Sequence, residues 1–328
     1  MNALPQLRPM SFTDLIDASF RLYRSNFVTF VGIVAAVQVP IAILQIILQN
    51  TLGANYMRAL LRLSSGGSAA LLAPELLTTV LLYFVALILL AFLQVLFLQT
   101  LGTGALARAI SGSYLGQRIG ITEAYRFGTS RFLNLLGAAL LVGVCNLIAL
   151  VVAVGVPLGL LFVASQSSGS SGAGAAIGAI VLMVVLFLVY FIGTLVVASR
   201  LLFTTQAIVL EDHSAINGLR RSWQLSQGSF WRILGILTLI TVLVGVLAGI
   251  PAGVISFVLN MLAGSNLDRM LLAQTVNLVL TYAGNILAMP LQFAIFTLLY
   301  YDLRVRKEAF DLELRSQQIQ PAPETQAL

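Results

Sequence analysis

Side chains able to do acid–base or metal chemistry are few in this chain, and their positions limit what it could catalyse. The single histidine, His213, follows Glu211 and Asp212. As a metal site this run would need more nitrogen or carboxylate ligands than its neighbourhood supplies. As a helix start it is coherent, because Asp212 or Ser214 is a good N-cap and acidic residues suit the positive end of the helix dipole. The single cysteine, Cys145, sits in an apolar run. It excludes an intrachain disulfide or a cysteine cluster and reads as a small packing residue. The sequence contains no GxSxG, HExxH, CxxC or P-loop pattern. A non-enzymatic chain with no catalytic residue, metal or cofactor is the expectation.

What remains is amides, prolines and arginines. Gln38, Gln45, Gln94, Gln99, Asn134, Asn146, Asn277, Asn285 and Gln292 fall within long apolar segments. In a medium without water their amides must meet other helices or line a hydrated path. Pro40, Pro157, Pro251 and Pro290 interrupt the same segments, and GVPLG at 155–159 nearly repeats GIPAG at 249–253. Such breaks kink or unwind helices; Pro40, Pro157 and Pro251 are candidates to line a cavity, with close helix packing as the plainer reading. Arg21, Arg24, Arg220, Arg221, Arg304 and Arg306 flank these segments. Each is a candidate contact for lipid phosphate or a protein partner, since arginine binds phosphate oxygens in bidentate fashion.

The elements that must position these residues are membrane helices. Charged residues make up 9% of the 328, apolar residues 59%, and mean hydropathy is +0.97, a balance with which no soluble domain could cover its surface. Uncharged runs at 27–50, 76–107, 132–164, 175–199, 233–259 and 274–301 each exceed the roughly 20 residues a span needs. SQSSGSSGAG, from Ser165 to Gly174, divides the third run from the fourth. No Asp, Glu, Lys, Arg or His lies inside any of the six, which disfavours a proton- or sodium-coupled carrier. The start carries no cleavable signal pattern, and QQIQPAPETQAL at the end reads as a polar, disordered cytoplasmic tail. Net charge is +6, but the cations are scattered beside spans, so lipid headgroups and not nucleic acid are the expected counter-charge.

Orientation follows from the Lys and Arg residues. With the N-terminus inside, only Arg58, Arg62 and Arg269 fall outside, against fifteen of the 18 inside, which puts both termini in the cytoplasm. Leu298 to Tyr301 would then meet the lipid interface, with both tyrosine hydroxyls wet. Three inside segments, SFTDLIDASFRLYRSNFVTFVG, ITEAYRFGTSRFLNLLG and SAINGLRRSWQLSQGSFWRILG, share a spacing: an aromatic residue (Phe20, Tyr125, Trp223) stands seven places before a phenylalanine (Phe27, Phe132, Phe230), which stands five before a glycine (Gly32, Gly137, Gly235). The expected fold is an all-α integral membrane protein of six transmembrane helices, arranged as three repeats of an interfacial helix plus a hairpin. The repeats run over about 11–110, 120–206 and 213–303 within a membrane domain at 1–308, with 309–328 as tail. In the first interfacial helix Ser11 and Asp14 have capping-box spacing, and Phe12, Leu15, Ile16, Phe20, Tyr23 and Phe27 form an apolar stripe. In the third, Ile216, Leu219 and Trp223 play that part.

The segments LRPMSFTDLIDASFRLYRSNF, GLRRSWQLSQGSFWRILGI and LLYYDLRVRKEAFDLEL resemble a broad group of bacterial multi-pass proteins related to the membrane domain of glycerophosphoryl diester phosphodiesterases. The resemblance runs from Arg8 to about Leu314. It implies a multi-pass protein of the bacterial inner membrane. In the full-length enzymes, the resemblance implies, a separate barrel with acidic residues, a metal and histidines does the catalysis; one histidine and no barrel sequence here give no ground to carry that activity over. The expected role is a membrane scaffold or accessory protein contacting anionic lipids or a protein partner. The alternative is a transporter or lipid-handling permease for a neutral or zwitterionic solute.

Overall fold

A computed structural model describes residues 9–59, 74–166, 170–264 and 266–308. Among these the chain is helical throughout, with no strand. Its elements are α1 (Phe12–Ser25), α2 (Phe27–Leu48), α3 (Pro74–Gln94), α4 (Thr103–Tyr114), α5 (Ile121–Ser130), α6 (Phe132–Leu150), α7 (Val156–Ser165), α8 (Ser170–Leu201), α9 (Thr204–Leu210), α10 (Ala215–Ser226), α11 (Phe230–Val244), α12 (Ile250–Ala263) and α13 (Leu267–Glu308). Five helical stretches are long and apolar enough to cross a membrane: Phe27–Ala59, Leu76–Tyr114, Phe132–Ser165, Gly174–Leu210 and Leu267–Glu308. A sixth candidate is the bent pair α10 and α11, which meet at 101°. The tail at 309–328 and Arg62 lie outside the described residues.

Proline shapes two of the apolar helical segments in the same way. The five-residue π-helical turns Val151–Gly155 and Gly245–Gly249 end two residues before Pro157 and Pro251. A proline has no N–H to give and its ring crowds the carbonyl four residues back, so the helix widens ahead of it. Pro40 differs: it stays inside the regular helix α2, and the π turn Gln49–Gly53 comes later.

The short helices α1, α5 and α10 each precede a long one. A single residue, Asn26 or Arg131, makes the break after α1 and α5. After α10 the turn is longer and uses Gly228 at φ 73°, a conformation that favours glycine. The capping box of α1 forms: the Ser11 hydroxyl accepts from Asp14 N–H at 3.1 Å, and the Asp14 carboxylate accepts from Ser11 N–H at 3.3 Å. Asp14, Asp17, Arg21 and Arg24 are exposed.

The residues these helices pack against protein are mostly small, and much of the apolar stripe is left exposed. In α10 the buried residues are Gly218, Ser222, Leu225 and Ser226, while Ile216 and Trp223 are exposed. In α5 they are Ala124 and Gly128, and in α1 Leu15 and Ser19. Small residues four apart let two backbones approach, which is how helices associate where lipid gives apolar side chains no reason to hide. Each short helix uses this face against the end of a span: α1 on α13, α5 on α4, and α10 on α8 and α9.

The chain forms two compact units, Met1–Phe132 with Thr238–Leu328, and Leu133–Leu237. In the first, α13 packs on α2, α1, α4 and α12. Ile41, Leu90 and Tyr282 form a core there with Val37, Leu48 and Leu278 around it. The C-terminal end of α13 is deeply packed, from Thr297 to Leu303. Tyr300 and Tyr301 are therefore protein-buried and not wet at a lipid interface, and the Tyr301 hydroxyl lies 2.5 Å from the Ser111 hydroxyl. The second unit is built on the hairpin of α7 with α8, and α10 packs on both α8 and α9.

Tyr125 of α5 donates its hydroxyl to the Ile33 carbonyl at 2.5 Å, and burial pushes its ionisation up to about 12. Its folded value lies above the ordinary 10, so its contribution is complete below pH 10 and decays as pH rises toward 12. Tyr125→Phe is expected to cost about 1 kcal/mol at neutral pH and to flatten the loss of thermal stability between pH 10 and 12, measured by melting in detergent at matched pH.

Candidate functional site

The six arginines singled out in the sequence divide into two kinds. Arg221 gives its Nε and Nη2 to the two oxygens of Glu211 at 2.6 and 3.0 Å. The same carboxylate lies 3.2 Å from His213 Nε2. Ser214 takes the N-cap position of α10, although its hydroxyl makes no capping bond. Arg304 pairs with Glu308 at 3.1 Å and covers the ring of Tyr300. Arg306 holds Asp302 at 3.0 Å and also donates to the Met10 carbonyl at 2.8 Å, while Met10 N–H donates to Asp302 at 2.7 Å. These three cations fasten the protein to itself. Arg21, Arg24 and Arg220 are exposed instead. Among the described residues no group of three or more His, Cys, Asp or Glu is placed to hold a metal.

Amides from the spans meet across helices in the first unit. The Gln49 amide donates to Gln274, and Tyr83 donates its hydroxyl to Gln49 Oε1 at 3.1 Å. Asn50 Nδ2 donates to Thr275 Oγ1 at 3.0 Å, and Gln94 Nε2 to the Tyr282 hydroxyl at 3.0 Å. These bonds tie α2 and its π turn, α3, and α13 together. Only Gln94 of this set was among the amides singled out from hydropathy. Of the others, Gln38 is buried, Gln99, Asn277 and Asn285 are exposed, and Asn146 bonds its own helix at the Val142 carbonyl.

The second unit contains a cavity of about 630 Å³ between α6 with its π turn and α8, closed at one end by Leu201, Leu219 and Trp223. Its wall is apolar apart from Cys145, Asn146, Tyr190, Thr194 and Trp223. Leu141, Cys145, Val152 and Val189 on this wall are exposed, so the cavity opens sideways onto an apolar surface. Cys145 thus lines a groove and is not a core packing residue, because α6 turns that side away from its neighbours. None of Pro40, Pro157 and Pro251 lines this groove. Pro157 is buried, whereas Pro40 and Pro251 are exposed.

Sequence reasoning missed Arg200 as a distinct group. It ends α8, and its guanidinium lies 5.5 Å from the Trp223 ring centre and 5.8 Å from that of Phe230. These are the aromatic residue and the phenylalanine of the third spaced motif. The signal lay in Arg200 being the first charge after the uncharged run from Phe132 to Ser199.

A family model for the membrane domain of glycerophosphoryl diester phosphodiesterase matches residues 175–325. Over that stretch the chain is similar to the family. The matched stretch takes in Arg200, Trp223, the Glu211–Arg221 pair and the whole of α13. It begins well after the opening motif at Arg8. No curated protein and no solved structure matches the chain. With its long apolar helices, this similarity makes the chain a multi-pass membrane protein.

Proposed function

We propose that the protein is a non-enzymatic scaffold or accessory component of the bacterial inner membrane, with both termini in the cytoplasm. The observation that carries this reading is the pairing of span amides across helices, Gln49 with Gln274 and Tyr83, Asn50 with Thr275, and Gln94 with Tyr282. A solute path would need such groups free to face water, whereas here they hold three helices in one arrangement. The threefold repeat is supported by the placing of the short helices. Each lies on the end of the preceding hairpin, and α1, which has none before it, lies on the last span.

The cytoplasmic contacts fall to Arg21, Arg24 and Arg220, since Arg221, Arg304 and Arg306 are occupied within the chain. Reversing those three exposed charges to glutamate, in protein recovered from membranes with mild detergent, is expected to deplete the co-purifying protein partner or anionic lipid without loss of fold. Unchanged recovery of both would remove the role given to this face. The lipid-handling alternative draws on the sideways groove of the second unit.

A further inference from the structure

Arg200 differs from every arginine considered above. Its Nε and Nη1 are shielded from solvent and have no hydrogen-bond partner among the described residues. The faces of Trp223 and Phe230 attract its charge. Aromatic faces do not satisfy the five N–H donors of a guanidinium, which stays protonated in any protein setting. With two of its nitrogens shielded and no acidic partner among the described residues, this cation lacks an anion.

The surroundings say what kind of anion. Trp223, whose ring meets Arg200, and Leu201, the next residue in the chain, both line the groove of the second unit. At about 630 Å³ the groove falls within the usual ligand-pocket range of roughly 300–1,000 Å³. Its apolar wall suits hydrocarbon, and its open side admits a molecule from the bilayer without passage through water. Glu211, a carboxylate that could have received a headgroup ammonium, is already held by Arg221 and His213.

We propose that this groove is a binding site for one anionic phospholipid, with an acyl chain along α6 and α8 and the phosphodiester at Arg200. Trp223 sits between the two parts, its ring over the chain's end and against the cation, as tryptophans do at the level of headgroups. The site goes beyond the scaffold reading and does not depend on it.

The test uses the full chain in mild detergent and native mass spectrometry. The probes are a phospholipid with a glycerol headgroup, its choline counterpart with the same acyl chains, and inorganic phosphate. One glycerol phospholipid per chain is expected to be retained in preference to the choline lipid. Arg200→Gln is expected to weaken it by about tenfold, as loss of a charged hydrogen bond does, and Arg200→Lys by less. Gly193→Leu fills the groove wall at a position where an added Cβ meets nothing within 4 Å, so it should abolish retention in a folded protein. Arg269→Gln, at an exposed cation away from the groove, should leave retention unchanged. Equal binding by Arg200→Gln or by Gly193→Leu overturns the site, as does displacement of the lipid by inorganic phosphate alone. A protein partner kept by a variant that has lost the lipid, or lost from one that keeps it, separates the fate of this site from that of the scaffold.

Discussion

Asp302→Ala is expected to lower the stability of the protein by about 3 kcal/mol, a large loss for one side chain. Asp302 is 1% exposed. It accepts from Met10 N–H at 2.7 Å and from Arg306 at 3.0 Å, and Arg306 returns to the Met10 carbonyl at 2.8 Å. This closed set ties the segment before α1 to the end of α13. Removing the carboxylate strands the buried amide of Met10, at about 1–3 kcal/mol, and takes the charged partner from Arg306. Arg306 keeps 38% of its side chain exposed, so water recovers part of its loss and the total stays toward the lower end for a broken buried pair. Asp302→Asn keeps an acceptor for Met10 and should cost about half as much. Unfolding in mixed micelles titrated with a denaturing detergent measures both. A loss below about 0.5 kcal/mol for the alanine would show that the set does not fasten the two ends.

The second large effect is expected at Gly128. A Cβ there would lie 3.1 Å from the Ala105 backbone nitrogen and 3.3 Å from the Leu101 carbonyl oxygen. Backbone cannot swing aside as a flexible side chain can, so any larger residue must push α5 off α4. Gly128→Leu should cost about 3 kcal/mol through overpacking. Gly159→Ala is the contrasting substitution: Gly159 is exposed in α7 and an added Cβ meets nothing within 4 Å, so alanine's helix preference should gain up to about 1 kcal/mol. Comparable losses at both sites would mean that close approach is not what holds α5 in place.

These two sites show which features could be read from the sequence and which could not. The spans were legible because hydropathy is summed over many residues. The capping box of Ser11 and Asp14 was legible because both partners lie within one turn. Burial of Gly128, Gly218 and Ser222 was not. Helical spacing places residues on a face but does not say what covers it. In a protein set in lipid the apolar stripe can face outward while the small residues face protein. Tyr300 and Tyr301 failed for a related reason: amphipathic rings beside arginines suit a lipid interface, but both are buried, and the partners of Tyr301, Ser111 and Tyr114, come from α4, far away in sequence. Arg200 was counted as one charge among many because its isolation depends on what surrounds it in three dimensions.

The scaffold reading is tested most directly by native mass spectrometry of the wild-type protein released from its own membranes in mild detergent. A stoichiometric protein partner retained on the chain is the expected result, and the partner should be lost when Arg21, Arg24 and Arg220 are reversed. A chain that carries no protein partner and that moves a neutral or zwitterionic solute across reconstituted vesicles would contradict it. The paired amides of Gln49, Gln94 and Gln274 would then have to separate during transport.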